Sequence, residues 1–269
     1  MQMQYGSRST KFMPKPQKVK PPKDHFSKQS KTYKKFRPTY PIQLYDEILN
    51  HVSELGTCWD CATGNGQVAV ELAKHFENVY ATDLSKGQLR HSESRPNIHY
   101  KAERAEATLF DDNSFDLITV AQAIHWFDHI AFNTEANRVL KPNGIIAIWG
   151  YGLLRIDPKI DLLIDTFYQN TIGPYWDEER RHIDHAYSTI PFDFEEIKTY
   201  TQFNIKAKWT LKQLEGYLNS WSSVQNYLQV HDGENPVIGL IEHVSTLWDQ
   251  HTPKEVNFPI FLYLGKHKN

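Results

Sequence analysis

Apolar positions along the chain follow two different rhythms. Between residues 57 and 150, short runs of strand formers alternate with stretches whose apolar residues recur every three to four positions. Thr57–Cys61 (TCWDC), 78–82 (NVYAT), 98–101, 114–121 (SFDLITVA) and 145–149 (IIAIW) predict strands, and 67–76, 85–92 and 128–140 predict helices. Ser85 stands where an N-cap belongs, and Lys141 to Gly144 (KPNG) reads as a turn. The run 145–149 is almost wholly apolar, as a strand covered on both faces requires. Strands alternating with helices predict an α/β fold around a mostly parallel sheet with right-handed crossovers.

Outside that block the rhythm changes. Ahead of it, Leu44, Tyr45, Ile48, Leu49 and Val52 predict an amphipathic helix, and 24–35 predicts another that ends at the prolines Pro38 and Pro41. Beyond residue 150, helices are expected over 158–170, 177–185, 210–219, 222–230 and 236–249, with a break at 173–176. Two more strands are expected, over 196–206 and 256–265. Pro259 weakens the first half of the last one, because proline cannot donate to a ladder.

The chain has 269 residues, 40% of them hydrophobic, enough for one domain with elaborations. Residues 1–23 carry four prolines and few large apolar side chains, and read as a disordered basic leader. Residues 24–269 read as a single domain, with a ligand-binding half over 24–150 and substrate-side inserts over 151–195 and 207–250. Residues 1–37 hold 11 of the 30 Lys and Arg but one acid, Asp24, so the remainder carries 19 bases against 31 acids. An acidic body argues against a nucleic-acid substrate, and the leader is either a solvated tail or a docking arm. No apolar run approaches the roughly 20 residues that span a bilayer, and no apolar segment of signal-peptide type follows Met1. A cytoplasmic protein, monomeric or homodimeric, is expected.

The chemistry concentrates at strand ends. TCWDCATGNG (57–66) is a strand, a glycine turn and the start of a helix. Gly64 and Gly66 allow positive φ and close backbone approach, and the acid Asp60 precedes the turn. Asp83 ends the next strand, where an acid can accept from two ribose hydroxyls. There is no GxxxxGKS/T, and TGNG is not GxGxxG, so phosphate ligands are disfavoured and an adenosine-type ligand with a cationic amine fits better. Gln122, His125 and Trp126 follow the fourth strand. They form either a packed turn or a pocket wall with a base. The two cysteines, Cys58 and Cys61, form a CxxC, but no second pair completes a zinc site. Within a strand they read as small buried hydrophobes, so no metal is expected.

YKKFRPTYP (33–41), DCATGNGQVA (60–69), VYATDLS (79–85), DDNSFDLITVAQAIHWFD (111–128) and RVLKPNGIIAIWGYG (138–152) together resemble the class I S-adenosylmethionine-dependent methyltransferases of the methyltransferase type 11 group. The nearest branch is similar to the trans-aconitate methyltransferase-like proteins. The resemblance implies a Rossmann-like, mostly parallel seven-stranded sheet with an antiparallel last strand and helices on both faces. It implies S-adenosyl-L-methionine as cofactor and a small-molecule acceptor. By position, Asp60, Ala62, Gly64 and Gly66 would line the methionine end, Asp83 would hold the ribose diol and Leu84 the adenine. Ala105 and Glu106 fall in the adenine-edge segment, although Arg104 departs from the acid often found there. Gln122, His125 and Trp126 would border the methyl-transfer position, and Tyr33, Arg37 and Tyr40 belong to a segment that folds over the cofactor in relatives.

The inserts supply candidate acceptor-binding residues, Tyr151, Trp176 and Trp221 among them. Trp221, flanked by small polar residues, reads equally as pocket wall or as core. Arg180 and Arg181 could clamp an anion, but DEERRHIDH (177–185) reads first as a solvated charged helix. Three activities follow: a small-molecule methyltransferase acting on a carboxylate or hydroxyl oxygen, an RNA or protein methyltransferase docked by the leader, or a cofactor-binding regulator. Deleting residues 1–23 separates the first two. Unchanged turnover of small acids by the truncated protein is expected, and a joint loss of activity and nucleic-acid binding would favour the second.

Overall fold

The computed structural model describes residues 39–268. The leader over 1–23, the helix expected over 24–35, and Tyr33 and Arg37 lie outside the described residues.

The chain enters through α1 (Ile42–Leu49) and builds β1 (Thr57–Cys61), α2 (Gln67–Leu72), β2 (Asn78–Asp83), α3 (Lys86–Leu89), β3 (Ile98–Ala102), β4 (Phe115–Ala121), α4 (His129–Val139) and β5 (Leu140–Tyr151). Two of these helices begin on side-chain caps: Ser85 Oγ accepts from the Gln88 amide, and Asp128 accepts from the Ala131 amide. The sheet runs β3-β2-β1-β4-β5 in parallel and continues antiparallel through β8 (Lys254–Lys266).

The period-2 pattern explains why this sheet is covered twice. Cys58, Leu117, Ile145, Ala147 and Trp149 pack with α1 and α2 on one face. Trp59, Ile118, Val120, Ile146 and Ile148 pack with Phe132, Ala136 and Val139 of α4 on the other. Cys58 and Cys61 are buried free thiols, and burial pushes both pKa values up. A third apolar core joins α5 (Pro158–Thr166), α7 (Leu211–Asn219), α8 (Ser222–Val230) and α9 (Pro236–Ser245) to Phe258 and Trp209. No helix among the described residues is long and apolar enough to cross a membrane.

Four expectations need correction. The strand expected over 196–206 is two, β6 (Glu195–Ile197) and β7 (Phe203–Trp209), which take turns on the same side of β8. The seventh position of the sheet is therefore filled by two segments, and the sheet has eight strands. The KPNG turn lies within β5 as a bulge. Leu140 pairs with Phe115, but Ile145 pairs with Leu117. The helix expected over 158–170 ends at Thr166 and unwinds into a wider turn, Phe167–Thr171. The helix expected over 177–185 is a tight turn, Glu178–Arg180, and a single turn α6 (Arg181–Asp184).

Pro259, by contrast, sits inside β8. Its carbonyl accepts from Gly152 N at 2.9 Å, so its missing donor faces the side where β5 has just ended.

Asp116 ties the sheet's lower end together. It accepts from Thr57 N at 2.8 Å and from Lys141 Nζ at 2.8 Å, joining β1, β4 and the β5 bulge. Asp116→Ala leaves the Thr57 amide without its acceptor and is expected to destabilise the fold by about 1–3 kcal/mol in chemical denaturation, with Asp116→Asn losing less.

Candidate active site

The carboxyl ends of β1, β2, β4 and β5 lie side by side at one end of the sheet, the place where open α/β sheets form a ligand crevice. Asp60, on β1, is 1% exposed. Its two oxygens accept from Thr63 Oγ1 and, at 2.9 Å, from Thr119 Oγ1, the in-register neighbour on β4. Burial pushes its carboxyl up to about 6. Bonds from Thr63, Thr119 and the Ala69 amide favour the charged form, and the charge on Asp83 opposes it.

Asp83 closes the crevice from β2. Its Oδ2 accepts from Gly64 N at 2.9 Å and its Oδ1 from Ser85 N at 2.7 Å. The turn between the two acids is bent by backbone alone: Ala62, Gly64 and Gly66 have φ of 55°, 59° and 83°. A Cβ on Gly66 would collide with the Tyr100 ring, whereas one on Gly64 would meet nothing within 4 Å. The chain therefore leaves room beside Gly64 for a ligand. Leu84, 50% exposed, offers an apolar surface at the crevice edge.

Gln122, after β4, is a second non-glycine residue at positive φ in this crevice, at 55°. Such strain gathers at functional sites. Its side chain is spent on the neighbouring strand: Oε1 accepts from Tyr151 N at 2.8 Å and Nε2 donates to Tyr151 O at 3.4 Å. Gly150 is required between them, since a Cβ there would lie 2.6 Å from Phe261 and 2.8 Å from Gln122 Oε1.

His125 and Trp126 lie in a tight turn, Ile124–Trp126, with ring centroids 4.8 Å apart. His125 is buried, and its Nδ1 lies 3.1 Å from Tyr187 Oη. Tyr187 and Ala186 are consecutive residues at positive φ. Nothing in the local sequence announces this pairing, which spans 62 positions. Thr119, by contrast, could have been found by aligning the strand ends.

In the adenine-edge segment the side chains turn into the protein. Ala105 is buried against the β1–β4 core, in a turn closed by the Arg104–Ala107 bridge. Glu106 faces inward to the protein: Oε1 accepts from Asp128 N at 3.2 Å and Oε2 pairs with Arg104 at 3.2 Å. Its carboxylate is committed to the start of α4, so only its main chain remains for a ligand.

On the insert side, Trp176 and Trp221 come together, with centroids 5.6 Å apart. Trp221 belongs to the core, 8% exposed. Tyr151 shares that core through Phe258 and Tyr217. Arg180 turns inward over the Trp176 ring at 4.6 Å, which overturns the reading of 177–185 as a wholly solvated face. The local cause is stacking: a guanidinium loses less on leaving water when it lies on aromatic faces. Among the described residues, no group of three or more His, Cys, Asp or Glu could hold a metal.

The donor set suits a cation-bearing adenosine ligand. Two carboxylates face each other across an open glycine turn, and their mutual repulsion is relieved by positive charge.

Known proteins resemble this chain along most of its length. Residues 59–148 match the methyltransferase type 11 family, described as "Methyltransferase domain". A candidate methyltransferase of Dictyostelium discoideum is 35% identical over 252 residues, spanning 90% of this chain and 95% of that one. A Saccharomyces cerevisiae protein with the provisional description S-adenosylmethionine-dependent methyltransferase is 22% identical, over 89% of this chain and 96% of its own length. The solved structure of a candidate type II methyltransferase from Anaeromyxobacter dehalogenans superposes with a TM-score of 0.80 at 33% identity, covering 86% of this chain and 98% of that one. With its sheet order, its strand-end acids and these relatives, the chain belongs to the class I S-adenosylmethionine-dependent methyltransferases.

Proposed function

We propose that this methyltransferase acts on a small organic acceptor, at an oxygen of a carboxylate or hydroxyl group. The cofactor half of this reading rests on the pair Asp60 and Asp83, set on adjacent strand ends with Gly64 N bonded to Asp83 at 2.9 Å between them, and the acceptor half on Arg180 drawn in over Trp176 beside Trp221.

S-adenosylmethionine supplies a methyl carbon made electrophilic by a positively charged sulfur. The chain's own work is to bind, orient and exclude water. Asp60 faces the amino-acid end, assisted by the backbone of Ala62, Gly64 and Gly66. Asp83 takes the ribose hydroxyls, and Leu84 and the Ala105–Glu106 main chain border the adenine. Tyr33 and Arg37 remain proposed as part of the covering segment. Gln122 acts through the strand end it braces, and Trp126 walls the transfer position. A carboxylate acceptor is already ionised at neutral pH and needs no base, since its usual pKa is about 4. A hydroxyl acceptor needs one, and His125, oriented by Tyr187, is the proposed base. Tyr151, Trp176 and Trp221 are proposed to border the acceptor. The trans-aconitate methyltransferase-like branch, with its carboxylate chemistry, is the subfamily this reading favours.

Calorimetry tests the cofactor site. Asp83→Ala is expected to weaken S-adenosylmethionine binding about 100-fold, the equivalent of ~3 kcal/mol for charged hydrogen bonds to two hydroxyls. Unchanged affinity in a folded variant would reject the assignment. A screen of small acids and alcohols with labelled donor, read by product mass, tests the acceptor class; labelling only of protein or RNA would reject it.

The pH dependence of binding follows from Asp60. Its folded pKa, about 6, lies above that of the unfolded chain. Its protonated form thus stabilises the fold fully below about pH 4, and this contribution is lost as pH rises through 6. A cationic ligand favours the ionised form, so affinity should rise with pH. Between pH 5 and 7 the dissociation constant is expected to fall about 10-fold, centred near pH 6, and Asp60→Asn is expected to flatten the profile.

A further inference from the structure

Arg180 is 21% exposed, yet among the described residues four of its five N–H donors are unspent. Nε donates to Tyr168 Oη at 2.9 Å, and that hydroxyl in turn donates to Asp184 Oδ1 at 2.6 Å. Asp184 itself stands 3.7 Å from Nε. All these contacts engage one edge of the guanidinium. Among the described residues neither terminal nitrogen meets an acceptor, while the plane is held over Trp176 and, at 5.5 Å, over Tyr168.

Among the described residues, two buried neutral donors near this turn, Trp176 Nε1 and Ser223 Oγ, have no partner. Ser223 is the second residue of α8, two residues after Trp221, and α8 packs on the turn Gly173–Tyr175 that leads into Trp176. Buried donors are ordinarily satisfied, so two of them on elements packed beside the Arg180 turn need an account. The place is also informative. The Glu178–Arg180 turn packs against Ile124–Trp126, the turn at the end of β4. The turn that carries Arg180 therefore adjoins the β4 end of the crevice.

We propose that Arg180 forms an oxyanion subsite that reads a carboxylate or phosphate group of the acceptor distinct from the atom methylated. The proposal rests on the methyltransferase reading above. The free edge of a guanidinium presents two parallel N–H donors that match a two-oxygen anion, which a lysine in the same place would not. The Trp176 ring fixes the plane of the fork, and Tyr168 and Asp184 hold its far edge, so little is left to order when the anion arrives. Ser223 Oγ and Trp176 Nε1 supply neutral donors nearby. An acceptor anchored by this subsite has its other end directed to the Trp126 turn.

The test uses the full-length protein loaded with S-adenosylhomocysteine and titrated in a calorimeter with inorganic phosphate, succinate and benzoate. The neutral controls are succinamide and benzamide. Saturable binding of at least one anion is expected, with at least ~10-fold preference over its neutral counterpart. Preference for phosphate or for a carboxylate identifies which oxyanion the subsite reads. Arg180→Gln is expected to weaken that anion at least ~10-fold and to leave the S-adenosylhomocysteine affinity unchanged. Because Arg180 is packed between rings, Arg180→Lys and Ser223→Ala are measured beside it, each checked by thermal melting, and each is expected to weaken the anion severalfold. Equal binding of acid and amide overturns the subsite. So does retained anion affinity in the folded Arg180 variants, or the absence of any anion binding while S-adenosylhomocysteine still binds. Failure of the wild type to bind S-adenosylhomocysteine would strike the methyltransferase reading instead, and so the two failures are distinguishable.

Discussion

The organisation of the molecule depends on one strand that serves two cores. The second half of β8 pairs with β5 from Ile260 to Lys266 and closes the parallel sheet. Its first half runs past the end of β5, pairs with β7, and carries Val256 and Phe258 into the core of the helical insert. The insert is thereby held at the end of the sheet where the catalytic crevice opens. Pro259 stands near the changeover, where the strand has no partner that requires its amide. The same geometry brings Tyr151, the last residue of β5, against Phe258, so the sheet end and the helical insert share a continuous apolar core.

Within the crevice, the decisive balance is between burial and charge at Asp60. A carboxylate this buried resists ionisation, and three donors only partly restore it. A site of that kind distinguishes ligands by sign. A phosphate would add to the repulsion already present between Asp60 and Asp83, whereas a cationic centre removes it. The turn between them has no need of basic side chains, because backbone geometry at Ala62, Gly64 and Gly66 does the shaping.

Much of the sheet was legible in the sequence because central strands covered on both faces are apolar at nearly every position. IIAIW divides between two cores as its alternation demands. Asp60 and Asp83 were legible for a related reason: each ends a strand, and strand ends converge. What escaped the sequence depends on distant contacts. DEERRHIDH is charged throughout, and nothing near it indicates that Trp221 will come forward to stack with Trp176 beneath Arg180. Tyr187 reaches His125 only through a turn at positive φ that alanine and tyrosine do not advertise. The family resemblance puts Glu106 in an adenine-edge segment, but its carboxylate is drawn off by Arg104 and the amide that opens α4. The single strand expected over 196–206 was continuous in pattern, yet 198–202 is too long for the three residues of β8 opposite it.

That interruption bears on how the protein behaves at high concentration. A long, flat edge strand is a template on which another chain can add a strand and begin to aggregate. Here the outer edge beyond β8 is divided into a three-residue piece and a seven-residue piece, so no continuous row of free amides and carbonyls runs along it. On β7 the inward positions are Phe203, Ile205 and Trp209, while Asn204, Lys206 and Lys208 face outward. Two lysines and a broken ladder make that edge a poor seed for intermolecular sheet growth, and the feature that defeated a simple strand assignment also keeps the open side of the sheet from recruiting its own kind.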